Sequence, residues 1–507
     1  MSKAFRGSVI SAGLVAVVLG LSQVAFAGAP MNQDPATSTP ETSKAAKSQT
    51  KSKKSRKKKA SNTSFIVMGT YAPQNAVSEP IVLPSASSSI APVAADPSVA
   101  PRRVTANKIP GVHVLPVEDP PAAVAGTGDL VISEFRVRGA NGNNDEFIEI
   151  ANVSGADHTV AALSGTGYGI AASDGVTRCS IPNGTVIPNR GHYLCVNNNA
   201  SNGYSLSSYP AGNGTTATGD ATYTTDIPDN AGIALFNNNT GGGSYTLANR
   251  IDAVGSTSEA NTLYKEGTGY PALTPFSIDY SFYRDNCGKG GSITTFGACP
   301  TGGVLKDTNN NAADFVFVDT NGTSAGAGQR LGAPGPENLS SPIERNASFT
   351  TDLLDVCVAP ASPPNRVRDF TSDPPNNSTF GTLDIRRSVT NNTGGNVTRL
   401  RFRVVDLTTF PAPSGIADLR PRTSTSVVVT VDRPPCGSGT SNVTVNGTTL
   451  EQPPSQPNGG GFNSSMSAGT ITLATPLANG ATVDVRFLLG IQQTGSFKFF
   501  INVEALP

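Results

Sequence analysis

The chain reads as an all-β protein built of two β-sandwich domains behind an N-terminal signal and stalk. Three observations lead there. Apolar and polar side chains alternate with period 2 through much of residues 365–507, as in Arg399-Leu400-Arg401-Phe402-Arg403-Val404. Residues 128–339 hold short apolar runs separated by Asn, Gly and Pro turns. The composition includes 53 Gly and 38 Pro but no Trp, and no long amphipathic helical pattern follows the N-terminus. At 507 residues the chain is also too long for a single core.

Residues 1–27 read as a secretory signal, with Lys3 and Arg6 ahead of the apolar stretch Val9 to Leu21. Ala25-Phe26-Ala27 supplies the small-residue cleavage site. Residues 28–127 are poor in bulky apolar side chains and rich in Ala, Ser, Pro, Thr and Lys. Such a segment buries too little surface to offset its ordering entropy, which predicts a disordered stalk, stiff where Pro80 to Pro121 is proline-rich.

Net charge is zero but unevenly placed: nine of 37 basic residues fall between Lys44 and Lys59, leaving 28 against 37 acidic residues elsewhere. Within that arm Lys51, Lys53, Lys54, Arg56, Lys57, Lys58 and Lys59 are a candidate polyanion site for anionic polysaccharide, anionic lipid or extracellular DNA. No aromatic is interleaved with them, which removes base stacking from the reading. A solvated, charged tether explains the same run.

In 128–339 the strand Ile132-Ser133-Glu134-Phe135 is followed by an Asn/Gly turn and the strand Asp145 to Ile150, closed by Asn152. Pro188-Asn189-Arg190-Gly191 makes a turn before Tyr193-Leu194-Cys195-Val196. Strands Ala231 to Phe236 and Arg250 to Gly255 come next, and Gly332-Ala333-Pro334-Gly335 ends the region. This order resembles the lamin tail domain, a small immunoglobulin-like β-sandwich. The resemblance implies a binding and scaffolding module displayed by an exported protein, with the carboxylates of Asp145 to Glu149 belonging to the fold. Loops 199–228 and 286–310 exceed common lengths and read as insertions.

Residues 340–364 read as a linker. In 365–507, Leu383 and Ile385, then Val483, Val485 and Phe487, and finally Phe497, Phe499, Ile501 and Val503 each fall on one strand face. About eight strands result, enough for a second sandwich with an apolar interior and a charged exterior.

Six Cys fit an oxidising compartment, and proximity pairs Cys179 with Cys195, Cys287 with Cys299 and Cys357 with Cys436. The first would close a small loop between neighbouring strands, a constraint of about 3 kcal/mol. No CxxC or Cys/His cluster argues for zinc. Weak Ca²⁺ candidates are Asp145 with Glu146 and Asp307 with Asp314, where turn and strand structure also explains the acids. No other cofactor is implied. His113, His158 and His192 lie in separate segments, with neither GxSxG nor HExxH nearby, and edge packing explains His192.

The expectation is therefore a non-enzymatic secreted, periplasmic or cell-surface protein whose partner is an envelope polymer or a surface protein. An extracellular hydrolase or nuclease is the alternative. It would require a histidine and carboxylates that converge only in the fold.

Overall fold

The computed structural model describes residues 65–70, 128–209, 216–272, 278–286, 305–321, 330–451 and 456–507. The expected signal 1–27, the basic arm and the Cys287–Cys299 pair lie outside these residues. The described protein is nearly all β, and its one α-helix is the single turn Asn311–Asp314. No helix among the described residues is long and apolar enough to cross a membrane.

Four sheets carry the architecture. Sheet I runs Arg250–Val254, Ile233–Phe236, Gly167–Ala172, Thr177–Pro182. Sheet II runs Arg330–Leu331, Phe315–Asp319, Tyr280–Arg284, Leu130–Arg136, Phe147–Asn152, His192–Asn197, Ala221–Tyr223. Ile170, Ile181, Ile233 and Leu235 of sheet I meet Ile132, Ile148, Ile150, Phe282 and Phe317 of sheet II in one apolar core. Apart from Leu235 these are β-branched or aromatic residues, which suit a pleated, half-buried surface. Together they form the first sandwich.

The second sandwich stacks sheets III and IV. Sheet III runs Phe65–Thr70, Ser496–Leu506, Arg399–Leu407, Ser465–Ser467, Thr449–Glu451. Sheet IV runs Phe349–Leu353, Thr382–Asn391, Thr482–Gln493, Asp418–Arg422. Phe402, Phe487 and Phe499 meet edge to face at its centre, with ring centroids 4.9 and 6.0 Å apart. That is the geometry aromatic quadrupoles favour. Here the period-2 reading places the right side chains inside: Leu383, Ile385, Val483, Val485, Phe497 and Ile501 are all buried in this core.

Several expectations need correction. Residues 340–364 are not a free linker, because Ile343–Glu344 pairs with Ser496–Leu506 and Phe349–Leu353 with Thr382–Asn391. The expected stalk contributes the strand Phe65–Thr70, antiparallel to Ser496–Leu506. Insertion 199–228 is partly packed: Tyr204, Leu206 and Tyr209 share a small core with Phe147, Leu194 and Val196.

Two of the three proximity pairings are disulfides in the structure, Cys179–Cys195 and Cys357–Cys436. The first does not join neighbouring strands. Cys179 lies in sheet I and Cys195 in sheet II, so the bond staples the two layers across the core. Two disulfides fit an oxidising compartment.

On sheet III the charged face of the second sandwich is not an exterior. Tyr283, Val316 and Val318 of sheet II turn away from the first core and join the second. Arg401 of sheet III is 1% exposed. The outer face of sheet II therefore packs against sheet III, and what alternation leaves polar becomes an internal layer.

Candidate functional site

That layer is built from a bulge, a proline-rich loop and two strands. In strand Leu130–Arg136 the register shifts between Ile132 and Glu134. The extra residue lets Ser133 and Glu134 both face away from the core while Ile132 and Phe135 stay inside it. Glu149, on the neighbouring strand, faces the same way, and its Oε1 accepts from the Ser133 hydroxyl at 2.5 Å.

The loop Gly332 to Glu337 covers these carboxylates. Its sequence Gly-Ala-Pro-Gly-Pro-Glu leaves four backbone N–H groups, and all four are bonded. Gly332 donates to Asp319 O at 2.9 Å and Ala333 to Phe462 O at 3.1 Å. Gly335 donates to Glu134 Oε1 at 2.9 Å and Glu337 to Glu149 Oε2 at 2.6 Å. A buried loop must satisfy its amides, and this one uses the acids beneath it to do so.

From the opposite side come Arg401 and Arg403 with Glu504, their cross-strand neighbour. Glu504 Oε2 accepts from Arg401 Nε at 2.5 Å, and Oε1 from Arg403 Nε at 2.6 Å. Both guanidiniums also reach Glu337 Oε1, Arg403 at 3.1 Å. Arg403 Nη1 further donates to Asn463 Oδ1 at 2.9 Å, while Asn463 Nδ2 donates to Glu134 Oε2 at 3.1 Å. Glu451, fully buried, lies 3.8 Å from Arg401. Five carboxylates (Glu134, Glu149, Glu337, Glu451, Glu504) thus share two guanidiniums.

Burial sets the titration of this layer. It raises Glu134, and it raises Glu149 well above the carboxylate range, with the Glu134 charge adding to the effect. Burial likewise pushes Glu451 up to about 7 against the opposing pull of Arg401. For Glu504 burial is overcome by Arg403 and Arg401, which hold it below its ordinary value. His192, at the start of strand His192–Asn197, is pushed down to about 3 by burial and is neutral.

His192 Nδ1 lies 3.4 Å from Glu337 Oε2, and Nε2 lies 3.9 Å from Glu149 Oε1. A cavity of about 90 Å³ runs beside them, also lined by Arg190, Glu344 and Glu504. Arg190 adopts a φ of +62°, in the left-handed region, and its guanidinium pairs with Glu344.

The sequence candidates are dispersed by comparison. Asp145 pairs with Arg136 at 2.5 Å and accepts from Ser205 N at 2.9 Å. Glu146 accepts from Ile227 N at 2.7 Å and Asn197 Nδ2 at 2.8 Å, and burial pushes it up to about 8. The two acids hold different segments and do not share one. Asp314 ties down the loop ahead of its turn, accepting from Thr308 N at 2.9 Å and Asn310 N at 3.2 Å. Asp307 comes together with Asp252 and Glu266, and Arg284 stands among them, 2.6 Å from Asp252, 3.4 Å from Asp307 and 3.6 Å from Asp314.

Sequence reasoning missed Glu134, Glu337, Glu451 and Glu504 and assigned the arginines to solvent. One signal was present. The polar face of the last strand reads Lys498, Phe500, Asn502, Glu504, and an aromatic in that phase marks a second buried face. Phe500 is fully buried. No family model, curated protein or solved structure matches the chain.

Proposed function

We propose that this chain is an exported, non-enzymatic scaffold that presents a lamin-tail-like sandwich to an envelope polymer or surface protein. The carrying observation is the internal polar layer, which makes two sandwiches one body and leaves loops and edge strands as the outward features. Such positions expose unpaired backbone and variable side chains, where partners bind. Both disulfides support work outside the reducing cytosol. The lamin-tail reading rests on the strand order from Ile132 to Val196 and on the Gly332-Ala333-Pro334-Gly335 exit. The Lys44 to Lys59 arm would add salt-sensitive attraction to an anionic surface.

The test is retention of the full chain and of a variant lacking residues 44–59 on envelope fractions across a salt series. Both should be retained, the variant with a weaker salt dependence. Loss of all retention with the arm would leave the sandwiches without a binding role.

A hydrolase reading gains one observation, the convergence of His192 with Glu149 and Glu337. Their cavity of about 90 Å³ is well below the roughly 300–1,000 Å³ of ligand pockets. It suits an ion or a few waters. Hydrolysis of DNA or polysaccharide that disappears in His192→Gln would select the enzyme instead.

A further inference from the structure

We propose that Glu149, His192 and Glu337 bind a divalent first-row transition ion, Zn²⁺ or a chemically similar one, at the junction of the two sandwiches. One donor atom from each residue lies within 4.8 Å of the others. An ion at their centre would sit at most about 2.8 Å from each, so a contraction of several tenths of an ångström reaches the roughly 2.0–2.2 Å of Zn–N and Zn–O bonds. The donors do not satisfy one another. At 3.4 and 3.9 Å the imidazole is too far from either carboxylate for a good hydrogen bond, and Nδ1, shielded from solvent, has no hydrogen-bond partner. A buried polar atom of that kind calls for a partner in the gap, and the cavity these three residues line has room for one.

The surrounding groups are arranged as a ligand shell requires. Glu149 is oriented by the Ser133 hydroxyl and the Glu337 amide. Glu337 has Oε1 taken by Arg401 and Arg403 while Oε2 turns to His192. Outer partners that fix ligand carboxylates in this way are a normal part of metal sites. Charge points the same way. Carboxylates outnumber guanidiniums five to two in this layer, so a divalent cation adds positive charge where acidic groups are in excess. An imidazole donor favours transition ions over Ca²⁺ and Mg²⁺, which prefer oxygen throughout. The ligands come from two strands of sheet II and from the loop leading into the second sandwich, so the ion would tie the sandwiches together.

The experiment uses the full chain, stripped with chelator and titrated with Zn²⁺ by calorimetry and thermal unfolding, with Ca²⁺ as comparison. The expected result is one Zn²⁺ per chain, a melting temperature that climbs with Zn²⁺ and not with Ca²⁺, and affinity at least tenfold weaker in His192→Gln and in Glu149→Gln. X-ray absorption of the Zn²⁺-loaded wild type should show one imidazole among oxygen donors, a readout that stands even where a variant does not fold. Absence of Zn²⁺ binding, binding unchanged in both variants, or a shell without imidazole would each overturn the proposal. The last would point to the all-oxygen group Asp252, Glu266 and Asp307.

Discussion

Replacing Arg401 with methionine removes one of the two cations in the internal layer while keeping much of its volume. The side chain is 1% exposed, with Glu504 at 2.5 Å, Glu451 at 3.8 Å and Glu337 in contact. After the change, five carboxylates face Arg403 alone. Glu451, fully buried, loses its nearest charge partner. Removing one side of a buried ion pair costs about 3–5 kcal/mol, because the remaining charge stays desolvated. That is a large share of the roughly 5–15 kcal/mol that stabilises a typical domain. Equilibrium urea unfolding of wild type and Arg401→Met at pH 7 measures the loss directly. A second variant, Arg401→Met with Glu451→Leu, should recover part of it, since an apolar pair needs no counter-charge. A loss below about 1 kcal/mol, the scale of an exposed pair, would refute the burial of this layer.

Three further outcomes follow from the same geometry. Cys179→Ala with Cys195→Ala should cost about 3 kcal/mol from a separation of 16 residues, and more from the void left between sheets I and II. Thermal unfolding under non-reducing conditions measures it. Glu146 titrates near 8 in the fold against 4.5 unfolded, so the native state holds a proton that the unfolded chain releases first. Stability should fall as pH rises from about 4.5 to 8, by at most roughly 1.4 kcal/mol per unit from this group. Glu146→Gln should flatten that part of the pH–stability curve. Finally, Gly461→Ala should weaken the junction, because a Cβ there would meet the Leu331 carbonyl oxygen at 2.0 Å. A reduced melting temperature with secondary structure retained by circular dichroism is the expected result.

The interior of the second sandwich was legible because Phe402, Phe487, Phe499 and their neighbours alternate with polar residues at period two. The internal layer was not, for a physical reason. Period 2 separates one strand face from the other but does not say whether the polar face meets water or another sheet. Arg399, Arg401 and Arg403 are indistinguishable in pattern, yet Arg401 is buried and Arg399 only partly covered. Deciding between them needs Glu337 and Glu504, which arrive from more than sixty residues to either side. The bulge at Ser133 likewise broke the alternation that would have shown Glu134 and Glu149 on one face. His192 reads as an edge residue because its carboxylate neighbours are 43 and 145 positions away in the chain. Phe500 and the Gly332 to Glu337 loop were the local clues, each meaningful only once the sheets are stacked.

Hydrogen exchange of the peptide spanning Gly332 to Glu337 is the most direct measurement. Its four amides are bonded to Asp319, Phe462, Glu134 and Glu149 inside the junction, so they should exchange as slowly as the core strands of the two sandwiches. Exchange within seconds, as for an open loop, would mean that the sandwiches do not pack through this layer.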